Sequence, residues 1–164
     1  MAQPRKNPGC LGILLSLFNT NSAPPPSPTF PYGKRDKFLS DGELRFYHVL
    51  KPLIPDGYTL ITKVRLSDLF FVRQPHKNQG ARNKIDRKHV DFVICESNSM
   101  QPALAIELDD SSHQRKDRAE RDAFVDQVFK AAELPLLHIK VVQNYDSAEI
   151  QSQIQTLLTE ETHP

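Results

Sequence analysis

Two short apolar runs that carry carboxylates constrain the fold of this chain most. Val90-Asp91-Phe92-Val93-Ile94 holds one acid inside its run. Ala103-Leu104-Ala105-Ile106-Glu107-Leu108-Asp109 ends in two more, and Asp110-Ser111-Ser112-His113 follows. Runs of this length, β-branched and aliphatic, predict strands over 89–96 and 103–109. The polar residues 97–102 between them predict a turn, so the two strands pair as an antiparallel hairpin. Strict alternation puts Asp91, Val93 and Cys95 on one face, with Val90, Phe92 and Ile94 on the other. An acid among such neighbours is costly to bury unless it holds a metal or meets a base such as Lys88 or Lys140. Glu107 and Asp109 stand two apart and share a strand face. Carboxylates within reach of each other repel until a cation or a shared proton relieves them.

The rest of the pattern fills in around this hairpin. Ser40-Asp41-Gly42-Glu43 reads as a capping box, and Leu44, Tyr47, Leu50 and Leu53 recur at helical spacing. A helix over 41–51 follows, ended by Pro52 and Pro55. Residues 58–64 alternate and are β-branched, which predicts a strand. Residues 67–72 suit a short helix, and 74–88 read as a polar, basic loop. A long helix over 115–133 carries Phe124, Val128, Phe129 and Ala132 on its apolar side. A strand over 136–142 and a helix over 147–158 complete the order α-β-β-β-α-β-α. The β-α-β segment requires a parallel crossover, so the expected fold is α/β, with a mixed central sheet flanked by helices.

Composition bounds the remainder. The chain has 164 residues, enough for one domain with a core and a tail. A net charge of +1 leaves any nucleic-acid affinity to local patches. Two cysteines, Cys10 and Cys95, form neither a disulfide framework nor a zinc-type spacing, which suits a reducing, cytoplasmic setting. Of 13 prolines, seven precede residue 32. That asymmetry predicts a tail over 1–37 with a Pro-rich linker, and a domain over 38–160. The apolar run 11–18 is far shorter than the roughly 20 residues of a membrane span. With Cys10 acylated, it would give weak, reversible membrane association.

The site candidates follow from the acids. Asp91, Glu107 and Asp109 offer the oxygen ligands that Mg²⁺ or Mn²⁺ takes, and a metal so held polarises phosphate and activates water. His113 suits orienting or deprotonating that water, and equally an N-terminal helix position hydrogen-bonded to Asp109. Asp109 and Asp110 equally suit capping of the following helix. Glu43, one turn into the first helix, is explained as well by its capping box as by a metal. Lys77, Arg82, Lys84, Arg87 and Lys88, with His76 and His89 near them, precede the first acid strand and suit either phosphate contacts or a merely solvated loop. No aromatics interleave them, so stacking on single-stranded bases is not indicated.

Several of these residues carry a resemblance. Lys88-His89-Val90-Asp91-Phe92-Val93 and Ile106-Glu107-Leu108-Asp109-Asp110-Ser111-Ser112-His113 resemble the acid strands of the restriction-endonuclease-like group, whose sites follow a PD-(D/E)xK pattern. The second run is similar to the strand end of very-short-patch-repair-like endonucleases. Asp117, Arg121-Asp122 and Leu136-Leu137-His138 resemble the helix and strand that follow it. Residues 38–142 as a whole look like an uncharacterised bacterial domain family of that group. The resemblance implies that Asp91, Glu107 and Asp109 bind metal, that Glu43, Arg121, Asp122 and Lys140 support the site, and that nucleic acid, DNA first, is the partner. The chain departs from the pattern where Asp109 replaces the motif lysine, Asp110 the usual glycine and His138 the last-strand arginine. Three functions compete: a Mg²⁺-dependent endonuclease, a nucleic-acid-binding module of the same fold without catalysis, and a membrane-tethered interaction protein.

Overall fold

The computed structural model describes residues 30–109 and 116–160, apart from the side chains of 116–122 and 160. The chain divides into two compact units, Met1–Asp36 and Lys37–Pro164, and every helix and strand described lies in the second.

Helix α1, Asp41–Leu50, begins at the capping box: Ser40 Oγ accepts the Glu43 N–H, and Glu43 Oε2 accepts the Ser40 N–H at 2.7 Å. Two otherwise unpaired amide donors are thereby satisfied. A 3₁₀ turn, Lys51–Leu53, takes up Pro52. Then come β1 (Tyr58–Arg65), α2 (Leu66–Leu69), α3 (Ala81–Asp86), β2 (His89–Glu96), β3 (Pro102–Asp109), α4 (Lys116–Ala131), β4 (Leu136–Lys140) and α5 (Ser147–Glu160).

The sheet has the order β1-β2-β3-β4, antiparallel across the first two junctions and parallel across the last. The hairpin and the parallel crossover are as the sequence predicts. Two differences stand out. Residues 74–88 are not simply a loop: Asn83, Lys84 and Ile85 sit in α3, because Ile85 buries its side chain and pulls one turn of backbone onto the sheet. The last strand ends at Lys140 rather than 142, since Val141 turns away after donating to Asp109 O at 2.9 Å.

Each face of the sheet buries its own core. On one, Phe46 and Leu50 of α1 and Ile150, Ile154 and Leu158 of α5 cover Phe92, Ile94, Leu104 and Ile106. Phe46 meets Phe92 edge-on, with ring centroids 5.5 Å apart. On the other, Val125 and Phe129 of α4, with Leu66 and Ile85, cover Val93, Cys95 and Ala105. Each fully buried Val, Leu, Ile or Phe among them contributes about 1.5–3 kcal/mol of transfer free energy. β2 and β3, the central strands, are therefore apolar on both faces, which is why they read as continuous runs.

The acid site at the end of the central strands

Val90 packs with Val93 and Cys95, whereas Phe92 and Ile94 pack on the opposite face. The expected alternation, with Asp91 beside Val93 and Val90 beside Phe92, is thus broken at Asp91. The break has a partner on the next strand. Lys63 lies opposite Asp91, between the pairs Thr62↔Phe92 and Val64↔Val90, and has a left-handed φ of 56°. A lysine in that conformation is uncommon and strains the backbone. Here it re-aims the strand, so that Leu60 and Val64 reach opposite cores.

Asp91 is 8 % exposed, the one buried charged residue among those described. Its Oδ2 accepts the Leu108 N–H of β3 at 3.0 Å. It also lies within hydrogen-bonding reach of Glu43 on α1. Burial and the adjacent Glu43 push the Asp91 carboxyl above its ordinary value, against the pull of the Leu108 amide and Lys63. Glu43 moves the other way: burial raises it, but the Lys63 ammonium and the Ser40 donors outweigh burial and hold it low. Lys63 Nζ meets Glu43 Oε1 at 2.5 Å, with the side chains 25 % and 14 % exposed. The two carboxyls are thus shifted in opposite directions, Asp91 up and Glu43 down. Glu43 serves the cap with one oxygen and the site with the other.

The row continues across the sheet. The β2–β3 register runs to Phe92↔Ile106, and the Leu108 N–H beyond it goes to the Asp91 side chain. Glu107 pairs with His138 on β4. Its Oε2 is withdrawn from solvent. Leu104, Ile106 and Leu108 face the α1 side, so alternation turns Glu107 and Asp109 toward α4.

On that side Asp109 and Asp126 of α4 clamp one imidazole. His138 Nδ1 lies 3.2 Å from Asp109 Oδ1, and Nε2 lies 3.0 Å from Asp126 Oδ1. Burial lowers the His138 pKa, but both hydrogen bonds and both charges outweigh it, so the net shift is upward. Lys140 stands beside Asp109 in the β3–β4 register.

Among the described residues, no three His, Cys, Asp or Glu side chains gather as a metal-binding group. Asp110 and His113 lie outside the described residues, as do the side chains of Arg121 and Asp122. The basic segment reaches the α4 face: Lys84 and Lys88 place their ammonium groups 5.9 and 5.4 Å from the Phe124 ring centroid. Arg82 makes an exposed pair with Asp86 at 3.7 Å, and Arg87 Nε donates to Asn83 O. Lys77 lies in an exposed turn. Lys63 and Asp126 are the residues that sequence reasoning passed over. The signal for Lys63 was a cation in the middle of a β-branched run; Asp126 sits in a charge-rich helix and had none.

An α/β domain with a four-stranded mixed sheet and a buried acid at its centre is the class these features define. The chain belongs to the family described as protein of unknown function (DUF2726), whose family model matches residues 35–157. No curated protein and no solved structure matches it. No helix among the described residues is long and apolar enough to cross a membrane, and the 11–18 run lies outside those residues.

Proposed function

We propose that this domain is a metal-dependent phosphodiester hydrolase of restriction-endonuclease-like type, acting on nucleic acid and on DNA first. One observation carries the reading: Asp91 is buried, is held above its ordinary pKa by that burial and by Glu43, and lies within reach of this second carboxylate. Carboxylates drawn together at such cost are the donor set that a hard divalent ion relieves. Asp91 and Glu43 would hold Mg²⁺ or Mn²⁺, whereas Glu107 and Asp109 on the neighbouring strand face α4 and would join them only by turning from that face. The bound ion supplies charge for the phosphate and an acidified water. The chain's own part is distinct. The Leu108 amide fixes Asp91, and His138 fixes Asp109. His113 orients or deprotonates water, and Lys77, Arg82, Lys84, Arg87 and Lys88 meet backbone phosphates.

A binding module without catalysis is favoured by a different observation. Residue 109, where the resembling pattern has lysine, is an acid already engaged by His138. Calorimetric titration of Mg²⁺ and Mn²⁺ into the full chain and its Asp91→Ala/Glu107→Ala variant separates the two. Binding lost in the variant, with metal-dependent cleavage of duplex DNA, supports the hydrolase. Salt-sensitive DNA binding with no metal uptake by the wild type overturns it in favour of the module.

A further inference from the structure

The ammonium of Lys63 occupies the carboxylate cluster that the proposed metal would enter. Three observations converge on it. Lys63 Nζ is bonded to Glu43 Oε1 at 2.5 Å, and Glu43 is within hydrogen-bonding reach of Asp91. Lys63 holds a strained φ of 56° inside a strand whose pairing is regular on both sides. The ladder sets it directly opposite Asp91. Strain at a single non-glycine residue persists only where the surroundings over-determine it. The surroundings that do so here are the two acids.

We propose that Lys63 is the resident counter-cation of the Glu43–Asp91 pair, which a divalent ion must displace from Glu43 on entering the site. The inference rests on the proposed metal site and assigns it a built-in competitor. Two cations that share one carboxylate oxygen oppose each other's binding by a reciprocal factor. In the metal-free protein the Lys63 ammonium, bonded to Glu43, offsets the charge that Glu43 would otherwise set against Asp91. A bound divalent ion would take Glu43 Oε1 in place of the ammonium, which would leave Lys63 free for an anionic partner such as a phosphate.

The test uses the full chain with Lys63→Asn, chosen because asparagine tolerates positive φ, and Lys63→Met as a second uncharged variant. Lys63→Arg keeps the charge. Thermal unfolding with and without Mg²⁺ or Ca²⁺ gives a readout independent of cleavage, and calorimetry gives affinity. Both uncharged variants are expected to bind divalent ion about tenfold more tightly than the wild type, with Lys63→Arg close to it. Without metal their unfolding midpoints should lie below that of the wild type, and added metal should raise them by more than it shifts the wild type. Wild-type binding with equal or weaker uptake by the uncharged variants overturns the role of Lys63 and leaves the metal site standing. No uptake by any of the four proteins overturns both.

Discussion

The Leu108 N–H donates to Asp91 Oδ2 at 3.0 Å, so the backbone of β3 holds the one charged side chain buried on β2. A ladder position that a carbonyl ordinarily fills is taken by a carboxylate. The acid is thereby fixed to the same strand that supplies Glu107 and Asp109.

Substituting Asp91 tests that arrangement. Asparagine keeps an acceptor for the Leu108 amide and removes the charge. Because the folded pKa of Asp91 is raised, the native state holds more protons than the unfolded chain above the ordinary carboxylate range. The wild type therefore loses stability as pH rises through that folded pKa, and Asp91→Asn is expected to exceed it at about pH 8 and to converge with it in acid. Asp91→Leu removes the acceptor and is expected to cost about 1–3 kcal/mol at any pH. Urea denaturation across pH distinguishes the two; an Asn variant less stable at high pH contradicts the account.

The Asp109–His138–Asp126 clamp has the opposite partners but the same sign. The pKa of His138 is raised, so its contribution is full below the ordinary histidine value and lost as pH rises through the folded one. Asp126→Asn is expected to lower stability at about pH 6 and to leave it nearly unchanged at about pH 9. Direct titration of the imidazole by NMR should find its pKa above the ordinary value, falling toward it in the variant.

The capping box stabilises α1 and hence the seat of Glu43. Ser40→Ala is expected to cost about 1 kcal/mol, read as a shift in denaturation midpoint with unchanged slope. Ser40→Asp, which retains an acceptor for the Glu43 amide, should lose much less.

On the α4 face, Lys84 and Lys88 lie over Phe124 and extend the basic segment. If nucleic acid binds there, Lys84→Ala should weaken the affinity for unrelated duplex sequences alike and reduce the salt slope by about one. A loss confined to one sequence would point instead to base contact. Phe124→Leu should be close to neutral for DNA.

In the core, Phe92→Ala is expected to cost about 3–5 kcal/mol, because Phe92 is fully buried against Phe46. A fluorescence- or dichroism-monitored denaturation curve suffices. A cost below about 1 kcal/mol would mean the α1 face packs otherwise.

Much of this architecture is local and therefore legible in the residues alone. Ser40 and Glu43 announce the start of α1, because a cap is decided within four residues. The apolar runs of β2 and β3 are visible because both faces of a central strand are covered, and the short turn between them fixes their antiparallel pairing. The acids Asp91, Glu107 and Asp109 stand out for the same reason, as charges amid apolar neighbours. Tertiary structure alone decided what those acids touch. Sequence periodicity assumes a regular strand, and the left-handed Lys63 interrupts that regularity, so Val90 joins Val93 rather than Phe92. Glu43 reaches Asp91 and Lys63 only because α1 folds across the face of Phe92. His138 reaches Asp126 only because the parallel crossover lays α4 beside β4. Hydrogen bonds and ion pairs between residues far apart in the chain depend on register and helix placement, and neither leaves a mark on local spacing.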